Sequence, residues 1–298
     1  MINTARVGSI DEFEHVLSNI TGNTVVEITA NGNRPLIERL TVLEGAVFDF
    51  DDTLSTKNTW SDIRKTLRVP YLSMEEDDLD RHLMRLRDPC DHLDVFSEDW
   101  WQRGFRLANL PTIEGAWLAR CFDRFIQAGV HLKDLEVVGQ QMPLREGSKL
   151  LLKLFAKKII VSFGIAEVIR ACLHHNDMRG IAIAATSLHA DEQTGAIVGY
   201  NEDTLVTTAT KKVVVDGFLE TCNLEPEVVL AIGDSIFDID MMPEGGCNIM
   251  IFPTSETGSK KMAAMRGGDV RKLWGKLSAI VIGDSLLPLH NMIVNSRL

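Results

Sequence analysis

From Pro143 onward the chain alternates apolar strand-like runs with helical stretches, and this alternation limits it to one broad architecture. A helical stretch over 146–157 leads to the β-rich run 158–161, then a helix from about Ile165 to His175 and a strand over 181–185. A hairpin around 191–199 follows, then a helix over 211–221 and a strand over 228–232. Strands joined by crossover helices form an α/β, doubly wound parallel sheet of the Rossmann-like kind, whose ligands bind beyond the strands' carboxyl ends. Chemistry is therefore sought where apolar runs break into polar residues.

The sharpest break is Val47-Phe48-Asp49-Phe50-Asp51-Asp52-Thr53-Leu54. The period of two along a strand predicts that Asp49 and Asp51 lie on the same side of it. Two neighbouring carboxylates repel, and a divalent cation with oxygen ligands such as magnesium relieves that. An acidic turn that closes a strand is the competing reading of the octapeptide taken alone.

Other strand ends add partners. Ser162-Phe163-Gly164 follows Ile159-Ile160-Val161 and is read as a hydroxyl and backbone amides at a helix N-terminus, a place where anions bind, or as a plain N-cap serine. Lys211 or Lys212 opens a helix against its macrodipole, unless the two are a solvated surface pair. Val229-Leu230-Ala231-Ile232-Gly233-Asp234-Ser235-Ile236-Phe237-Asp238 repeats the opening theme with two acids four apart. Asp234 is placed to complete a metal site with Asp49, with Asp238 reaching back from the first helical turn.

In order and spacing, Asp49-x-Asp51-x-Thr53, Ser162, Lys211 and Gly233-Asp234-x-x-x-Asp238 resemble the four motifs of the haloacid dehalogenase (HAD) superfamily of phosphohydrolases. The likeness covers about 45–58 and 144–253. Arg145-Glu146-Gly147, Ser162-Phe163-Gly164-Ile165 and the hairpin Asp191 to Gly199 look like the branch that holds phosphoserine phosphatases and pyrimidine 5′-nucleotidases. The resemblance implies a magnesium-dependent phosphatase of a small phosphorylated metabolite. Asp49 would be the nucleophile that forms an aspartyl-phosphate, and Asp51 the general acid and base. Ser162, the Phe163 amide and Lys211 would bind phosphate. Asp49, Asp234 and the Asp51 carbonyl would hold the metal, with Asp238 orienting its surroundings. An acid at position 51 suits an ester, whose leaving group needs a proton, rather than a halide. A phosphotransferase with the same intermediate, or a silent binding protein with the same fold, are the competing readings.

The expected division is an N-terminal extension over 1–43 packed on the core, a core over 44–56 and 143–298, and a helical insert over 57–142 placed like a C1 cap. The extension reads as an amphipathic helix near Ile10–Ile20 and a strand, turn, strand signal over 24–29 and 35–42. The insert carries helix starts at Ser73 and Ser97 and a helix over 112–129, a small bundle in prospect. It shows no clear counterpart of the acid and arginine that phosphoserine phosphatases use for the amino acid.

The formal net charge of −11 argues against a nucleic-acid polymer or an anionic membrane as partner. Five unpaired-looking cysteines and the lack of an apolar leader or span suggest a cytoplasmic protein. A homodimer through 1–43 or the C-terminal tail stays open. Several signals are set aside: the repeat Ile282-Gly283-Asp284-Ser285, which lacks the later acid, and Cys90-Asp91-His92, which lacks further metal ligands. His174-His175 reads as a helix end and Glu75 to Asp78 as a solvated first turn. Trp100-Trp101 is read as bundle core, with base stacking as the alternative.

Overall fold

The computed structural model describes residues 3–19, 24–29, 34–68, 113–254 and 267–298. The chain begins β1 (Asn3–Val7), α1 (Ile10–Asn19), β2 (Thr24–Ile28), α2 (Leu36–Thr41) and β3 (Gly45–Phe48). The described ends of the insert are α3 (Thr59–Leu67), α4 (Ile113–Gln127) and α5 (Leu132–Gln141). Then come α6 (Ser148–Leu154), β4 (Lys157–Ile165), α7 (Ala166–His175), β5 (Ala182–Thr186) and the hairpin of β6 (Leu188–Ala190) and β7 (Ile197–Tyr200). The chain closes with α8 (Thr208–Cys222), β8 (Val229–Gly233), β9 (Cys247–Phe252), α9 (Gly267–Lys276), β10 (Ala279–Ile282) and α10 (Leu287–Ser296). The helix starts anticipated at Ser73 and Ser97 lie outside the described residues.

Eight strands form one sheet in the order β1-β2-β10-β9-β8-β3-β4-β5, and only the β2–β10 pair is antiparallel. From β3 the chain winds outward through β4 and β5, then returns to β8 and winds the other way through β9 and β10. The order thus reverses between β3 and β8, which are paired in parallel, and a crevice opens at such a switch point. Both faces are covered, as the near-continuous apolar strands require. Ala46, Phe48, Leu230 and Ile232 face one apolar cluster with Trp60, Phe122, Leu135 and Ile169. Val47, Val229 and Ala231 face another with Phe13, Val215 and Leu273. The α/β, doubly wound sheet is therefore present. The described helices of the insert share the first cluster, so Trp60, Phe125 and Val138 anchor its two ends on the core.

Three local expectations are corrected. Residues 36–41 are helix α2 rather than a strand, because Leu36 and Leu40, four apart, are both buried on one face. Together with α1 and the sheet strands β1 and β2, this makes the described residues between 3 and 41 part of the layered fold. The other two corrections concern Asp51 and Ser162 and bear on the site.

Candidate active site

The octapeptide begins as predicted and then departs from it. β3 stops at Phe48, and Asp49 is fixed at the strand end by its N–H donating to the Ile232 carbonyl at 2.9 Å. Residues Phe50–Leu54 form a single wide helical turn with a kink: Asp51 has ψ 128° and Asp52 has φ 57°. Asp49 and Asp51 therefore do not share a strand face; the turn, not the pleat, aims Asp51.

It aims it at α3. Asn58 caps that helix by accepting from the N–H groups of Trp60 (3.0 Å) and Ser61 (3.2 Å), which leaves the Thr59 amide for another acceptor. Asp51 Oδ1 takes it at 2.8 Å and also accepts the Thr59 hydroxyl. Burial pushes the Asp51 carboxyl up to about 7, against the pull of both Thr59 bonds. A carboxylic acid balanced near neutrality can give and take a proton at working pH.

Four groups close the centre: Asp49, Lys211, Asp234 and Asp238 are each at most 4% exposed. Lys211 lies in the first turn of α8, beyond a Thr207–Thr210 capping box, and its Nζ donates to Asp49 Oδ1 at 2.8 Å and Asp238 Oδ1 at 2.6 Å. Lys212 instead pairs with Asp216 at the surface. The other Asp238 oxygen accepts from the Asp234 and Ser235 amides and the Ser235 hydroxyl, at 2.9–3.0 Å. A side chain on Gly233 would collide with Asp238, since an added Cβ comes within 2.4 Å of it. Thr53 Oγ1 donates to Asp234 Oδ1 at 3.3 Å.

The charges do not balance. Burial lowers the affinity of Lys211 for its proton, but Asp238 and Asp49 outweigh that and hold it firmly protonated. Asp238 opposes its own burial through Lys211 and the Ser235 donors and sits below the ordinary carboxylate range. Burial drives Asp49 well above that range; Lys211 pulls it back, and Asp238, Asp234 and Asp51 push it further up. The Lys211 ammonium, even with the buried Arg145 guanidinium attracted to Asp234, is outnumbered by these acids. Carboxylate oxygens of Asp49, Asp234 and Asp238 come within 4.8 Å of one another, a hard-oxygen donor set of the kind magnesium takes. Both Asp238 oxygens already have donors, so the set fits an ion held by Asp49 and Asp234 with Asp238 in support.

Ser162 also moves relative to expectation. β4 continues to Ile165, whose pairing with Thr186 resumes the ladder after an irregularity following Val161, and α7 starts only at Ala166. The serine sits on this bulged strand end, not at the helix terminus. Its Oγ accepts the Gly164 amide at 3.0 Å, which leaves its own proton to donate. Gly164 is open for a reason: an added Cβ would lie 3.0 Å from Asp51 Oδ2 and 3.2 Å from Ser162 Oγ. Phe163 adjoins α3 through its carbonyl, which accepts from Trp60 Nε1 at 3.3 Å.

Sequence reasoning assigned no role to Thr59 or to Arg145. The Asn58-Thr59 pair was readable as a helix start; Arg145, buried in the strap that returns from the insert, donates to two carbonyls of the Asp52–Thr53 turn and gives no local signal of it. Of the signals set aside, His174 and His175 close α7. Asp284 follows β10 and accepts from the Thr254 amide and hydroxyl. Cys90, Glu75 to Asp78, Trp100 and Trp101 lie outside the described residues. No described helix is long and apolar enough to cross a membrane.

Solved structures share this arrangement, a mostly parallel sheet whose order reverses between β3 and β8, as a likeness of fold. No family model and no curated protein matches the chain. A HAD family hydrolase from Salmonella enterica serovar Typhi superposes with a TM-score of 0.53 at 16% identity, over 74% of this chain and 66% of that one. This chain thus spans just under two thirds of that hydrolase. Cytosolic 5′-nucleotidase IIIB bound to cytidine gives 0.53 at 12% identity, over 88% and 90% of the two chains. A phosphoserine phosphohydrolase-like protein from Francisella tularensis gives 0.50 at 16%, over 84% and 100%.

Proposed function

We propose that the protein is a magnesium-dependent phosphatase that hydrolyses a small phosphomonoester through an aspartyl-phosphate on Asp49. The observation that carries this reading is the meeting of Asp49, Lys211, Asp234 and Asp238 at one switch point, with Asp51 held near neutrality beside them. The names of the structural neighbours, a nucleotidase and a phosphoserine phosphohydrolase-like protein, are consistent with it.

Phosphate would lie between Lys211 Nζ, the Ser162 hydroxyl and the Phe163 amide. An Asp49 oxygen attacks phosphorus, the ester P–O bond breaks, and protonated Asp51 gives its proton to the departing alkoxide. The Asp51 carboxylate then takes a proton from water, whose oxygen attacks phosphorus, and the bond to Asp49 breaks to release inorganic phosphate. Asp49, Asp234 and the Asp51 carbonyl would hold magnesium, which supplies charge neutralisation for the phosphate oxygens and keeps Asp49 ionised. Asp238 keeps Lys211 and the Asp234 loop in place.

The test is phosphate release, with magnesium, from a panel of amino-acid, sugar and nucleotide monophosphates. Asp49→Asn should abolish it with the fold intact, and rapid acid quenching of wild type should add one phosphoryl group to the peptide that carries Asp49. Near wild-type rates in Asp49→Asn would end this mechanism. Transfer to added alcohols in place of water would make the protein a phosphotransferase with the same intermediate.

A further inference from the structure

The Asp51–Thr53 turn has an unusual second anchor. One end is fixed by the sheet through the Asp49 amide. The other is gripped by Arg145, itself 3% exposed, whose Nε donates to the Thr53 carbonyl at 2.8 Å and whose Nη2 donates to the Asp52 carbonyl at 2.5 Å. Two successive carbonyls face one guanidinium because Asp52 adopts the left-handed region, at φ 57°, which non-glycine residues rarely enter without support. The rest of the strap reinforces the grip. The Arg145 amide and the Ser148 hydroxyl both donate to the Leu54 carbonyl, while the Thr56 amide and Ser55 hydroxyl donate to the Pro143 carbonyl. Burial lowers the guanidinium's affinity for its proton, against the attraction of the Asp234, Asp52 and Asp284 charges. Its hydrogen bonds go to backbone.

We propose that Arg145 is a positioning residue: its planar fork holds the Asp52 and Thr53 carbonyls, and through them sets where the Asp51 carboxyl and carbonyl sit relative to Asp49. This rests on the phosphatase reading for its kinetic consequence, but the grip itself does not. A lysine keeps the charge and loses the fork, because one ammonium cannot reproduce the two spaced donors of a guanidinium. The same fork explains why a strap at the far end of the insert, some ninety residues along the chain from the turn, must close against it.

The experiment compares wild type with Arg145→Lys and Arg145→Gln, measuring kcat and KM for an alkyl phosphomonoester alongside hydrogen exchange of the peptide spanning 49–60. Arg145→Lys should lose kcat by on the order of 100-fold, the scale of a misplaced reacting group, with KM little changed. Exchange in 49–60 should rise in both variants while the β8 and β9 peptides stay protected. A lysine variant with wild-type kcat and wild-type exchange in 49–60 would overturn the proposal, and so would a rise in KM at constant kcat. If wild type itself turns over no phosphoester, the phosphatase reading fails, and unchanged exchange in Arg145→Gln would then refute the grip separately. Should Arg145→Lys not fold, faster exchange confined to 49–60 in Arg145→Gln supports the grip, and unchanged exchange there refutes it.

Discussion

Thr59→Val should move the alkaline limb of the pH–rate profile upward. The Thr59 hydroxyl donates to Asp51 Oδ1 and so favours the carboxylate, and the Thr59 amide does the same from 2.8 Å. Valine keeps the shape of threonine and removes only the hydroxyl donor. A hydrogen bond to a charged group contributes about 1.5–3 kcal/mol, and one pH unit corresponds to about 1.4 kcal/mol, so its loss should raise the Asp51 value by roughly 1–2 units above its present value of about 7. The sign follows directly: less stabilisation of the anion means that the acid form persists to higher pH. In the proposed mechanism kcat/KM reports the steps up to formation of the aspartyl-phosphate, so only protonated Asp51 would serve it and the profile should fall where Asp51 ionises.

The assay is kcat/KM against pH for an alkyl phosphate, wild type against Thr59→Val, at saturating magnesium. The second ionisation of the substrate is common to both proteins and cancels in the difference. p-Nitrophenyl phosphate provides the control, since its leaving group needs little protonation and its limb should shift far less. A limb that stays in place for the alkyl ester, or moves to lower pH, would refute the assignment of Asp51 as the acid governed by Thr59.

Much of the centre was legible because its groups sit at breaks between apolar strands and polar loops. Asp49 after Phe48 and Asp234 after Gly233 are both local signals, and the switch point brings the two strands side by side. What was not legible depends on tertiary geometry. The pleat argument failed for Asp51 because β3 ends one residue before Asp49, and the kinked turn that follows takes its shape from Arg145, 92 residues later. The anion-site reading of Ser162 missed the continuation of β4, which pairing with Thr186 imposes from a neighbouring strand. Residues 36–41 read as part of a strand, and burial of Leu36 and Leu40 against the core makes them a helix instead. Strands β1 and β9 carried no recognised boundary signal; each is a strand because the sheet supplies its partner.

Three further outcomes test the charge arrangement and the packing of the site. Asp51→Asn should lose most turnover of alkyl esters and less of p-nitrophenyl phosphate, yet stabilise the metal-free protein at pH 8. Its value of about 7 lies above the unfolded 3.8, so the contribution of Asp51 to stability is full below 3.8 and lost as pH rises through 7. The gap in melting temperature between variant and wild type should therefore shrink toward pH 4. Lys211→Met strands two buried carboxylates and should cost about 3–5 kcal/mol in urea unfolding at neutral pH, less where Asp49 takes up a proton instead. Gly164→Ala separates packing around the acid from fold stability. Its added Cβ meets Asp51 Oδ2 and Thr59 Oγ1 at 3.0 Å and Ser162 Oγ at 3.2 Å, tight contacts that a few tenths of an ångström relieve. The backbone there is not in the left-handed region, so no backbone strain is added, and with the side chains yielding the urea midpoint should hold. Displacing the Asp51 carboxyl and the Ser162 hydroxyl together by that amount should still cost kcat roughly 10-fold, a fraction of the loss attached to a full ångström. An alanine variant with full kcat would mean that Asp51 works from a position other than the one beside Gly164.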